Sequence, residues 1–326
     1  MPGALSTIET KPKSRLLRAA GIILPMIVLP LAIWLLHREL RDYHLREVLA
    51  ELTVLSWPQV ALACACAIFA YFMLGGYDWL ALLHVGHRLP LIKVASTAFI
   101  SYALGYNLGY SVVTGGSIRY RLYSAWGLAS ADIAKVVAFC FLTFWIGAVA
   151  IAGAVCLIEP AAIAVVLHLP GAWIRPLGVV LVLLVAVYLA WSALQPRPLR
   201  IRRWELSAPH WWIAILQIVV PAVDLVLAGT VLYILLPDNI GLSYPAVMGM
   251  YLIAVILGLA SQVPGGLGVF ESAFLQLVPT GVSVTAVTGT LIAYRTVYYI
   301  LPLVIALLLM GGQELQIRRR RRGRQP

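Results

Sequence analysis

Charge is so unevenly spread along this chain that eight long stretches carry none: Ala19–Leu36, Leu52–Tyr77, Val94–Ile118, Val136–Ile158, Pro176–Pro196, Asn239–Phe270, Ser272–Tyr294 and Thr296–Gln313. A helix crosses the hydrocarbon core of a bilayer with about 20 apolar residues, and most of these runs reach that length. In lipid the backbone must satisfy its own hydrogen bonds, so the runs are expected to be helices. The whole chain is 62% hydrophobic and 11% charged. A soluble domain carries about 25% charged residues, so a water-exposed globule is excluded. The longest polar connections, Arg38–Trp57 and Gln195–His210, are too short to hold a soluble catalytic core. The expectation is an all-α, polytopic integral membrane bundle forming a single transmembrane domain over 1–326. The first run lacks a small-residue cleavage site and reads as a retained anchor.

The net charge of +11 would suit nucleic acid, but the basic residues sit at helix borders. They gather at Lys11, Lys13, Arg15 and Arg18, at Arg197–Arg203, and from Arg318 onward. That placement follows the positive-inside rule and anionic headgroups, and no nucleic-acid partner is expected. Two topologies compete. With eight full spans, 13 Lys and Arg lie inside and nine outside. With six spans and two re-entrant hairpins, 18 lie inside and four outside. The second obeys the charge rule better. It makes 1–15 a cytoplasmic N-terminal tail and 313–326 a basic cytoplasmic tail.

The proposed hairpins rest on an internal repeat. "SVVTGGSIRYRLY" and "SQVPGGLGVFESAF" share Val, Gly-Gly, an aromatic residue and a terminal charge: Val113, Gly115, Gly116, Tyr120 and Arg121 against Val263, Gly265, Gly266, Phe270 and Glu271. The similarity extends downstream, giving repeat A over 91–157 and repeat B over 244–312. Paired glycines break a helix at little cost, and Pro264 removes a donor beside the second pair. Gly115, Gly116, Pro264, Gly265 and Gly266 are therefore the expected hinges. Close helix packing through small residues is the alternative. In the six-span topology the hairpins enter from opposite faces, an inverted repeat of the transporter kind.

Ionisable residues inside apolar segments are costly and are functional candidates by default. Asp78, Arg119, Arg121, Asp224, Glu271 and Arg295 qualify, with Asn107 as a polar residue on the rising arm of the first hairpin and Gln262 on that of the second. An Asp224–Arg295 ion pair and a solvated Asp78 at a membrane border are the structural alternatives. Arg119 and Arg121, two apart, point to different sides of a helix. Cys64, Cys66, Cys140 and Cys156 lie in apolar runs as small hydrophobes. His84 and His87 lack further ligands nearby except Asp78, so no metal is expected. There is no Gly-x-Ser-x-Gly elbow, P-loop or His-Glu-x-x-His motif. Neither a cofactor nor a catalytic nucleophile is expected.

Three segments, "GGSIRYRLYSAWGL", "IAKVVAFCFLTFWIG" and "QVPGGLGVFESAF", resemble the transmembrane region of the lysylphosphatidylglycerol synthase family, the flippase part of the multiple peptide resistance factor proteins. The likeness runs from about Leu16 to Gly312. It implies a multi-pass protein of the bacterial inner membrane that moves a phospholipid, such as aminoacyl-phosphatidylglycerol, between leaflets. It also implies functional charges at Asp78, Arg119 and Glu271. The chain ends at "GGQELQIRRRRRGRQP" without the family's synthase half, so lysyltransferase activity is not expected. The leading reading is a phospholipid flippase or scramblase, with carboxylates for an amino group and arginines for the phosphate. The alternative is a non-transporting membrane subunit or scaffold for a separate lipid-modifying transferase. An integral-membrane transferase is the least expected, and an oligomer is compatible with the sequence.

Overall fold

In a computed structural model the chain is described over residues 56–322, except 168, 195–198, 202–203, 207–208, 238–240, 280–281 and 283. The expected first span, within 19–36, and the N-terminal tail lie outside the described residues. The described part is a helical membrane bundle, as expected, with one short antiparallel ladder, Leu199–Ile201 on Trp204–Leu206, in a connecting loop.

Helix α1, Trp57–Val85, starts where Ser56 and Gln59 form a capping box and ends at left-handed Gly86. Then come α2 (Leu91–Leu108), α3 (Ser111–Ala125), α4 (Ser130–Ile158), α5 (Pro160–Leu167) and α6 (Gly171–Leu194). After the ladder follow α7 (Trp211–Leu235), α8 (Tyr244–Ser261), a 3-10 turn at Pro264–Gly266, α9 (Val269–Leu277), α10 (Val284–Arg295) and α11 (Leu301–Arg322). A π turn, Thr296–Ile300, joins α10 to α11. Six of these segments are long and apolar enough to cross a membrane: α1, α4, α6, α7, α8 and the continuous Val284–Gln313. The first four and the last are spans expected from the sequence. The remaining one, α8, is the rising arm of the second hairpin.

Helices α1, α4 and α7 form the centre of the bundle. Gly147 of α4 packs on Pro221 of α7, where any larger residue would collide with the proline ring. Against this centre lie two helical hairpins, α2–α3 and α8–α9, each with its arms packed together. Their return arms are short. At 1.5 Å per residue, the 15 residues of α3 span about 22 Å and the nine of α9 about 13 Å, against a hydrocarbon core of about 30 Å.

The reversals occur at different places in the two copies. In the second, the chain turns across Gln262–Gly268, where Gly265, Gly266 and Gly268 have φ of 64°, 60° and 75°. In the first it turns at Gly109–Tyr110, with φ of 72° and 44°. Gly115 and Gly116 are not hinges: α3 runs through both as regular helix. The reason is local. The second pair follows Pro264, which cannot donate to a helix, whereas the first has no proline and is already preceded by a tight turn.

Candidate functional site

Asp78, Arg119, Glu271 and Arg295 form two ion pairs, one per hairpin, the first buried and the second partly so. Asp78 sits on the inner face of α1 and is not solvated at a membrane border: it is 0% exposed. Arg119, 4% exposed, reaches it from α3. Nε lies 3.1 and 2.9 Å from Oδ1 and Oδ2, and Nη2 lies 2.7 Å from Oδ1. The Tyr123 hydroxyl donates to Oδ2 at 2.6 Å, and the Cys140 thiol is 3.6 Å from Oδ1. The guanidinium stacks on Tyr102, 4.5 Å from its centroid. A two-pronged guanidinium–carboxylate contact with every lone pair engaged is what makes a buried pair tolerable.

In the second hairpin the roles are exchanged. Glu271 opens α9, where its Oε2 accepts from the Gly268 N–H at 2.8 Å and caps the helix. Its Oε1 takes Nε of Arg295 at 2.8 Å and, closer still, Nη2. Nη1 of Arg295 donates to the Gly265 carbonyl at 3.1 Å. Arg295 stacks on Tyr299 at 5.2 Å, a residue of the π turn. The pairing excludes one alternative: Arg295 meets Glu271, and Asp224 is instead held by the Tyr77 hydroxyl at 2.9 Å.

The aligned first glycines share a task despite their different backbones. A Cβ on Gly115 would come within 3.1 Å of Arg119 Nη1 and 3.2 Å of the Ser101 carbonyl; a Cβ on Gly265 would come within 3.1 Å of Arg295 Nη1. Each leaves room for a guanidinium head.

The hairpin tips touch. A Cβ on Gly109 would lie 3.0 Å from the Gln262 carbonyl and 3.0 Å from Pro264. Tyr110 and Gln262 are the two non-glycine residues with positive φ among those described, so backbone strain is concentrated where the tips meet. Two cavities flank this contact. One, of ≈ 60 Å³, is bordered by both tips, Asp224, Tyr251 and Tyr299. The other, of ≈ 250 Å³, is bordered by Ser101, Tyr102, Arg119 and Cys140. They share Gly105, Tyr106, Ser111, Phe144, Leu259 and Gln262. Oδ1 of Asp224 and Oγ of Ser101 are buried without a hydrogen-bond partner among the described residues. Such atoms cost free energy unless a polar group meets them.

Asn107 lies two residues before the first reversal. Its amide donates to the carbonyls of Ala103, at 2.7 Å, and Tyr299, at 3.3 Å, tying the first tip to the π turn of the second repeat. Arg121 is buried on α3, about 200° around the helix from Arg119, and does not line either cavity. Sequence reasoning missed Tyr102, Tyr123 and Tyr299, which complete the two arginine sites, and the turn at Gly109–Tyr110. The only signal for that turn was the glycine–aromatic spacing of "GYNLGY", which precedes Gly115. No group of three or more His, Cys, Asp or Glu is placed to hold a metal among the described residues; His87 instead bonds Asp132 at 3.1 Å.

Comparison with known proteins adds a family. Residues 22–306 match the model of the lysylphosphatidylglycerol synthase TM region. The uncharacterized protein slr0712 of Synechocystis is 37% identical over 90% of this chain and 91% of its own length. The inner membrane protein YbhN of Escherichia coli is 32% identical over 78% of this chain and 81% of its own. The phosphatidylglycerol lysyltransferase of Staphylococcus haemolyticus is 24% identical over 91% of this chain, which spans 34% of that enzyme.

Proposed function

The chain belongs to the family of the lysylphosphatidylglycerol synthase TM region, and on that premise we propose that it passes a phospholipid headgroup across the membrane between two re-entrant hairpins. The observation that carries this is the meeting of the hairpin tips beside two cavities that share a wall, with an arginine–carboxylate pair behind each tip. Return arms too short to cross the core support entry from opposite faces, and so does the better charge balance of the six-span topology.

The chemistry suits a phosphodiester. Arg119 borders the larger cavity and presents a planar donor set matched to phosphate oxygens. A phosphate arriving there adds a negative charge beside the Asp78–Arg119 pair, so the cost of burying it falls only where the same headgroup brings its own positive charge. Asp224, which borders the smaller cavity with Oδ1 unpartnered among the described residues, is the carboxylate we assign to the amino group of a zwitterionic or aminoacylated headgroup, with Glu271 behind the second tip as the next to meet it. The relatives named for lysyl transfer to phosphatidylglycerol favour aminoacyl-phosphatidylglycerol as cargo, and the relative named as an inner membrane protein favours that membrane.

The test is reconstitution into phosphatidylglycerol/phosphatidylethanolamine vesicles doped with headgroup-labelled fluorescent lipid, followed by a membrane-impermeant reductant. Translocation predicts quenching beyond the outer-leaflet pool, in proportion to protein. Quenching that stops at that pool overturns the reading; if a separate lipid-modifying transferase then co-purifies with the chain, the scaffold role takes its place.

A further inference from the structure

Gly116 has no part in either arginine site. It faces away from the α2–α3 contact, and a Cβ there would meet only Val137 of α4, at 3.5 Å. What it borders is a groove of ≈ 570 Å³ between α3 and α4, walled by Val112, Tyr120, Ala134, Val137, Ala138 and Phe141. That volume lies within the range of about 300–1,000 Å³ typical of small-molecule sites. The walls are almost wholly apolar, and Val112 and Phe141 at its rim are 46% and 51% exposed. In a membrane bundle such a surface faces hydrocarbon.

The groove is not isolated. Val112, Val137 and Phe141 also border the cavity that contains Arg119. An apolar slot open to the bilayer therefore adjoins a chamber with a guanidinium in its wall. That pairing matches one molecule in its surroundings, a phospholipid, whose phosphate and hydrocarbon are joined by a short glycerol. We propose that the α3–α4 groove, floored by Gly116, holds an acyl chain of the phospholipid whose headgroup occupies the adjoining Arg119 chamber. The Gly-Gly pair then divides its labour: Gly115 clears space for the arginine, and Gly116 clears space for the tail.

This rests on the translocation reading above, but its test needs no turnover. A phosphatidylglycerol with a photoreactive diazirine on one acyl chain is incorporated into vesicles with the full chain, irradiated, and the labelled residues are mapped by mass spectrometry. Ala134, Ala138 and Phe141 are expected to label well above Leu183 and Leu184, which are exposed on α6 and report ordinary boundary lipid. Gly116→Trp, or Val137→Trp from the opposite wall, is expected to reduce α4 labelling to the level of Leu183 and Leu184 while leaving those two unchanged. Equal labelling of the α4 and α6 positions in the unaltered protein overturns the proposal without any variant. So does groove labelling that survives both fillings. A groove that labels in a protein that moves no lipid preserves this inference and removes the translocation reading; active transport with an unlabelled groove does the reverse.

Discussion

In the first hairpin the arginine rides on the return arm and its carboxylate waits on a spanning helix; in the second the carboxylate rides on the arm and the arginine comes from the helix behind. Both arginines stack on a tyrosine, at 4.5 and 5.2 Å, and both need a glycine beside Nη1. The two sites differ in how tightly they close. The Asp78 and Arg119 side chains are 0% and 5% exposed, whereas that of Glu271 is 17% exposed. Asp78 has four polar neighbours from three other residues, while Glu271 divides itself between a helix cap and an arginine. The contrast teaches that the recurring Gly-Gly skeleton encodes space for a guanidinium and not a shared bend. It also points to unequal duties, with the first pair holding the bundle together and the second able to move.

The sharpest way to break this comparison is Asp78→Asn. It strands a buried guanidinium and is expected to cost about 3–5 kcal/mol, read as a large fall in melting temperature in detergent. The double change Asp78→Leu with Arg119→Met should recover most of that stability, because an apolar pair carries no desolvation penalty. Next comes Glu271→Gln, expected to cost about 1.5–3 kcal/mol while slowing lipid translocation by about tenfold or more, one decade per ~1.4 kcal/mol. If Glu271→Gln destabilises more than Asp78→Asn, the assignment of duties is wrong.

The glycines sharpen the comparison further. Gly265→Ala forces an L-residue into φ near +64° and is expected to cost about 1–2 kcal/mol from the backbone alone. Gly115→Ala, in regular helix, should cost less, since a gain of about 0.8–1 kcal/mol in helix propensity offsets its contacts with Ser101 and Arg119. Gly116→Ala is the smallest effect: neutral, or stabilising by up to about 1 kcal/mol, by the same melting measurement. Equal losses at Gly115 and Gly265 would mean that the two pairs share a backbone shape after all.

Much of this was legible in the linear chain because membrane burial is governed by length and charge. Uncharged runs of spanning length predict α1, α4 and α6 without further information. Pro264 before two glycines predicts the second reversal. Asp78, Arg119, Glu271 and Arg295 stand out as buried charges that must be answered. The misreading was of a relationship, a hinge at Gly115–Gly116, while the packing excludes the two alternatives of an Asp224–Arg295 pair and a solvated Asp78. A glycine pair has the same composition whether it bends a helix or admits a neighbour, and only the neighbour distinguishes them.

The amino-acid order by itself determined that this is a helical bundle in lipid and which residues could not be left without partners. Tertiary structure decided the partners. Asp78 and Arg119 are 41 positions apart, and Glu271 and Arg295 are 24 apart, so their meeting depends on how whole helices lie against each other. A buried charge is stable only beside the group that the packing brings to it, and no local pattern along the chain names that group.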